Sequence, residues 1–186
     1  MKFIKQTSYF KHLIITLVTL FITAIAFLYS GLYSMGADDP HYDVTTWALE
    51  TLRESSIARA SGDIQVPTDL NEPKRLLRGG ADYNDMCAGC HLKPGTNETD
   101  FTLGLYPSPP ALTKLTFDMS DETAYYQRNF WIIKHGIKAS GMPAWAPGHD
   151  DERIWNMIAF IKRLPDLTEE QYQVITARGK SSGGHH

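Results

Sequence analysis

The sequence predicts an all-α protein in which one membrane-crossing helix precedes a small helical domain. Three observations carry that expectation. Leu13 to Leu32 is an almost wholly apolar run without a charge. Further on, apolar residues recur at helical spacing in segments that open on capping residues and close at Gly or Pro. No stretch shows the strict polar–apolar alternation of a half-buried strand.

The first element is set by length and charge. About 20 apolar residues rising about 1.5 Å each cross a hydrocarbon core of about 30 Å. Lys2, Lys5 and Lys11 lie on the near side and Asp38-Asp39 on the far side. The positive-inside rule then keeps residue 1 in the cytoplasm and places the rest outside. The expected organisation is a single-pass membrane protein with its folded domain outside the cytoplasm. A cleaved signal peptide is the rival reading, with Ser34-Met35-Gly36-Ala37 as its small-residue site. The apolar run exceeds the roughly 7–15 residues usual for such a segment, which favours a retained anchor over 1–36.

The remaining 150 residues are acidic. Formal net charge is −3 over 186 residues; without the three N-terminal lysines, 15 Lys+Arg face 21 Asp+Glu, a net −6. An acidic body makes a poor nucleic-acid binder, and none is expected as a partner. Residues 37–72 read as a juxtamembrane connector with a short helix over Val44–Arg59, carrying Trp47, Leu49, Leu52 and Ile57. Trp47 suits either the membrane interface or packing on the folded domain.

The domain itself is expected over 73–166. Pro73 suits a helix first turn, and Lys74–Met86 carries Leu76, Leu77 and Tyr83. Gly79 and Gly80 inside that helix cost about 1 kcal/mol each relative to Ala, so another backbone should approach there. Ser120 is placed to cap a second helix, with Asp121 and Glu122 favouring its dipole and Gly136 ending it. Asp150 caps a third, through Trp155, Met157, Ile158, Phe160 and Ile161, which stops before Pro165. Thr168 and Gln171 form a capping box for a short last helix, and 167–186 closes the chain with a flexible tail.

The chemistry concentrates in Cys87-Ala88-Gly89-Cys90-His91. A C-x-x-C-H run is the attachment signature of a c-type haem. Two thiols one helical turn apart add to the two vinyl groups, and the adjacent imidazole is held against the iron. A redox disulfide and half a zinc site use the same cysteine spacing. Zinc needs further ligands, and no second Cys pair or paired His is in reach; the disulfide motif sits in a βαβ pattern that is missing here. As the only two cysteines, they allow one covalent haem. No catalytic set is expected, since Asp150-Asp151-Glu152 at a helix start reads as cap and dipole partners.

From Pro73 to Leu164 these residues resemble the class I mono-haem cytochromes c. That family places a Gly eight and an aromatic four residues before the first Cys, matched by Gly79 and Tyr83. Its C-terminal helix resembles Met157-Ile158-Ala159-Phe160-Ile161-Lys162, with Phe160 the aromatic that meets the glycine. Its Gly-Met-Pro element is matched by Gly141-Met142-Pro143-Ala144-Trp145. Its Gly-Pro-x-Leu loop corresponds to Pro109-Pro110-Ala111-Leu112, with Pro in place of the Gly.

The resemblance implies a small helical bundle around one haem c, iron ligated by His91 and Met142. It implies that the Pro110 carbonyl accepts from His91, and that Tyr106, Trp131 and Trp145 pack about the haem. With both axial positions filled, the expected role is single-electron transfer rather than catalysis, as a carrier or as a subunit of an oxidoreductase complex of a respiratory chain. The partners would be a quinol-oxidising complex or dehydrogenase as donor and an oxidase or reductase as acceptor. The alternative, a haem-based gas sensor or peroxidase-like protein, needs a displaceable Met142. His135 is its main competitor as ligand; it, like His149, reads otherwise as a helix-end or loop residue.

Overall fold

The computed structural model describes residues 2–116 and 119–177, with side chains 2–8 and 119 not described. The tail from Arg178, including His185-His186, lies outside the described residues. All regular structure among the described residues is helical. The chain divides into two compact units, 1–41 and 42–186.

The first unit is built on α1, Lys2–Tyr29. It contains no Gly or Pro, so nothing interrupts its hydrogen-bond ladder. Its stretch Tyr9–Tyr29 is long and apolar enough to cross a membrane. The helix ends three residues before the apolar run does. The Ser30 hydroxyl donates to the Phe27 carbonyl at 2.7 Å, and Gly31 takes φ +67°, a left-handed value that stops the ladder.

The second unit opens with α2, Asp43–Ser61, which ends at Ser61-Gly62. Trp47 is 66% exposed, so it does not pack on the domain. The inner face of α2 carries Ile57 (2% exposed) and docks on α6, Glu122–His135. Arg128 donates three hydrogen bonds to the Glu54 carboxylate at 2.9–3.2 Å, and the Gln127 amide donates to the Gly62 and Ile64 carbonyls. The cap of α6 is Asp121 rather than Ser120: its carboxylate accepts from the Ala124 N–H at 2.9 Å. The chain arrives there through a 3-10 turn over Met119–Asp121, which shifts the cap by one residue.

The core lies where α3, Pro73–Met86, crosses α7, Asp151–Arg163. Every residue of α7 from Ile154 to Ile161 is buried. Gly79 is the crossing point: a Cβ there would strike the Asn156 carbonyl and approach Met157 N to 2.9 Å. The backbone that the glycines were expected to admit is thus that of α7. Phe160 makes its close approach one residue on, with Cε2 3.1 Å from where a Cβ of Gly80 would stand. Phe160 also packs on Tyr83, ring centroids 5.2 Å apart, and both meet Tyr172 of α8, Glu169–Thr176.

Polar groups at this crossing are paired, as burial requires. Arg75 donates to the Asp69 carboxylate and, at 3.0 Å, to the buried Asn156 amide oxygen. Arg153 donates to Asp82 at 2.6 and 2.8 Å. The expected caps of α7 and α8 are present, Asp150 accepting from Arg153 N–H and Thr168 with Gln171 closing a capping box.

Candidate functional site

Cys87 caps α3, and the next turn is α4, Ala88–His91. The His91 N–H donates to the Cys87 carbonyl at 2.8 Å, so both thiols and the imidazole ride on one turn continuous with the crossing helix. Leu92 then takes φ +69° while 95% buried, a left-handed conformation that costs a non-Gly residue about 1–2 kcal/mol. The Tyr83 hydroxyl donates to the Leu92 carbonyl at 2.7 Å and holds that reversal. Tyr83, wholly buried, therefore joins the α3–α7 crossing to the cysteine–histidine turn.

His91 Nδ1–H donates to the Pro110 carbonyl at 2.8 Å. That bond fixes the ring's orientation and leaves Nε2 as the lone-pair nitrogen. Burial lowers the His91 pKa, partly opposed by the Pro110 carbonyl, so the ring is held neutral as a metal ligand must be. Burial also pushes the Cys87 thiol up to about 12, with Asp82 and Cys90 adding to it. Reactive C-x-x-C thiols are shifted the opposite way, which speaks against a redox disulfide. Among the described residues no three His, Cys, Asp or Glu side chains gather as a metal site, which leaves a zinc reading without ligands.

The 105–110 segment touches both His91 and the neighbour of Met142. Pro110 at one end of that segment meets His91, and at the other end Leu105 Cδ2 lies 3.4 Å from where a Cβ of Gly141 would stand. The Met142 loop hangs from the C-terminal end of α6. The last carbonyls of a helix lack intrahelical donors, and here the loop supplies them. Trp145 N–H donates to the Ile133 carbonyl at 3.2 Å and Ala146 N–H to Lys134 at 3.1 Å. The Ile137 N–H donates to the Met142 carbonyl at 3.1 Å. Gly136, at φ +66°, leaves room for this: a Cβ would lie 2.6–2.7 Å from Pro143, Ala144 and Met142 backbone atoms.

The remaining expected residues are placed as follows. Met142 and Trp145 are half-buried and packed against the core cluster. Tyr106 is half-buried within the bridging segment. Trp131 is half-buried on α6 with its ring 5.0 Å from that of His135, which is exposed at the helix end. His149 Nδ1–H donates to the Trp145 carbonyl at 3.1 Å, its ring edge-on to the indole. Among the other methionines, Met157 is fully buried and Met86 partly so.

Three contributors went unread in the sequence. Gly136 was legible as a helix stop, but not as the seat of the loop that follows. Ser140 accepts from the Met142 N–H at 3.1 Å and donates to the Ile137 carbonyl at 2.8 Å. A Ser two residues before the methionine was its signal, since such hydroxyls close local turns. Leu105 gave no signal, because its contact is made across 36 residues of chain.

A comparison with protein families gives one match. The family described as cytochrome c oxidase, cbb3-type, subunit III matches residues 74–161. Searches of curated proteins and of solved structures found no match. The matched stretch starts with α3, contains the cysteine–histidine turn, Pro110, α6 and Met142, and closes inside α7. The all-helical fold and the family match agree on a c-type cytochrome domain over this stretch, a kind of domain that implies haem binding.

Proposed function

We propose that the protein is a membrane-tethered, periplasmic mono-haem cytochrome c that carries single electrons between respiratory partners. Haem supplies the redox chemistry, a one-electron change at iron. Cys87 and Cys90 would hold it through thioether bonds, His91 Nε2 and the Met142 sulfur would ligate its iron, and the Pro110 carbonyl orients the imidazole and would strengthen it as a donor. Trp145 and Tyr106 exclude water from its edge. The domain, taken as 73–166, follows a connector over 37–72 and an anchor over 1–36. That anchor is α1, retained in the inner membrane with the lysines on the cytoplasmic side.

The single observation that carries this reading is the His91–Pro110 hydrogen bond, which presents a neutral imidazole nitrogen beside two thiols of the same turn. The name of the matched family supports an oxidase complex as the electron acceptor, with this chain as carrier or electron-entry subunit. A tether raises the effective concentration near such a membrane partner, to the millimolar range for short linkers.

Absorption spectra of the purified protein and of Met142→Ala, oxidised and reduced, with and without carbon monoxide, test the reading. The native protein should show a c-type spectrum with a sulfur-to-iron band and no carbon monoxide response. Met142→Ala should lose the band and bind carbon monoxide. Carbon monoxide binding by the native protein would instead favour a sensor or peroxidase-like role.

A further inference from the structure

We infer that the outward arc of α2 rests in the headgroup zone of the bilayer, a lipid-binding face that holds this domain at the membrane surface. The inference rests on the reading of α1 as a retained anchor. Val44 and Leu52 are each 68% exposed and Trp47 66%. At about 100° per residue these three lie on one arc of the helix, which also holds Ala48, Thr51, Ser55, Ala58 and Arg59, all exposed. None of the carboxylates of α2 lies in that arc: Asp43, Glu50 and Glu54 fall outside it. Single exposed apolar residues are ordinary, but a contiguous stripe cleared of acids and ending in an arginine is not.

The domain itself cannot cover the stripe. Buried Ile57 faces the domain, Glu54 beside the Trp47 edge of the arc is paired with Arg128, and Gln127 on Gly62 and Ile64 holds the end of the helix. Turning the stripe inward would break all of these. The chain that leads into α2 points to lipid as the occupant. Tyr33 Oη and His41 Nδ1 sit 2.8 Å apart, which closes most of the connector into a loop. Three residues then lie between Tyr29 and Tyr33 and one between His41 and Asp43, each step of chain spanning at most about 3.6 Å. A helix tied this closely to a spanning segment starts near the headgroups. There indoles are enriched, apolar side chains reach the acyl boundary and an arginine meets phosphate.

Photocrosslinking of the full haem-loaded chain in phosphatidylcholine–phosphatidylglycerol discs tests this. p-Benzoylphenylalanine is placed singly at Val44, Leu52, Glu50 and, inside α1, Leu20. Lipid adducts at Val44 and Leu52 several-fold above those at Glu50 are the expected result. Adducts to protein only, or none, at Val44 and Leu52 would overturn the inference, provided that Leu20 yields lipid adducts. Absence of lipid adducts at Leu20 as well would mean that the anchor reading had failed first, and the inference with it.

Discussion

The His91 side and the Met142 side of the site are held by different physics. His91 belongs to a turn continuous with α3, and α3 is locked by interior packing: Gly79 against the α7 backbone, Tyr83 and Phe160 ring to ring. Met142 belongs to a loop hung on the end of α6 by backbone hydrogen bonds and one serine hydroxyl. Interior packing is close to all-or-none, because displaced atoms have nowhere to go. Hydrogen bonds at a helix end contribute about 1 kcal/mol each and open one at a time. The attachment side should therefore fail only with the fold, whereas the methionine side can fail alone. In the carrier proposed above, this puts the softer joint at the proposed methionine ligand, the one that would tune the potential.

The largest expected effect is at the crossing. In Gly79→Ala the new methyl meets the Asn156 carbonyl and Met157 N, backbone atoms that cannot rotate aside. Overpacking of a core costs about 1–3 kcal/mol when side chains can yield, and more here. Denaturant unfolding should show a loss of at least about 3 kcal/mol, with little haem-loaded protein recovered. A variant with native stability and haem content would mean that α3 and α7 do not meet at Gly79.

Gly136→Ala separates the two sides. It forces a non-Gly residue to φ +66° and puts a methyl 2.6–2.7 Å from the backbone of the Met142 loop. The left-handed conformation alone costs about 1–2 kcal/mol. Because the strain falls on the loop, haem content should stay native while the sulfur-to-iron band weakens and carbon monoxide binding appears. Parallel loss of haem and band would show that the two sides are one unit, and the comparison would break.

The same division explains what was legible in the sequence. The His91 side was read from local patterns, C-x-x-C-H and a Gly79-Gly80 pair that asked for a close backbone, while the roles of Gly79 and Tyr83 came with the family resemblance. The Pro110 carbonyl was reached only through family resemblance, since nothing local marks a carbonyl 19 residues away as a partner. The Met142 side depends on where the chain returns after α6, and only Gly136 and the Gly-Met-Pro run hinted at it. The pairing of loop N–H groups with the Ile133 and Lys134 carbonyls has no side-chain signature. The one-residue error at the α6 cap has a similar cause: Ser120 and Asp121 are both good caps, and the preceding 3-10 turn decides between them.

The smallest effect concerns the link between the sides. Glu122, at the start of α6, accepts from Lys162 of α7 and, at 2.6 Å, from the Tyr126 hydroxyl. It thereby ties the helix that carries the Met142 loop to the helix that locks the His91 side. The Lys162 bond first, then Tyr126, hold the Glu122 carboxyl below its ordinary value of 4.5. A carboxyl lowered in the folded state stabilises it above the ordinary value, and that contribution is lost as pH falls through the lowered one. The pair is partly exposed, so Glu122→Gln should cost less than about 1 kcal/mol at pH 7. Thermal unfolding across pH should show the gap between native protein and variant closing on the acid side of 4.5, with the sulfur-to-iron band less affected than in Gly136→Ala. A gap that stayed constant into strong acid would mean that Glu122 acts by packing rather than by charge. The tie between the two sides would then be steric, and acid would not loosen the Met142 side ahead of the His91 side.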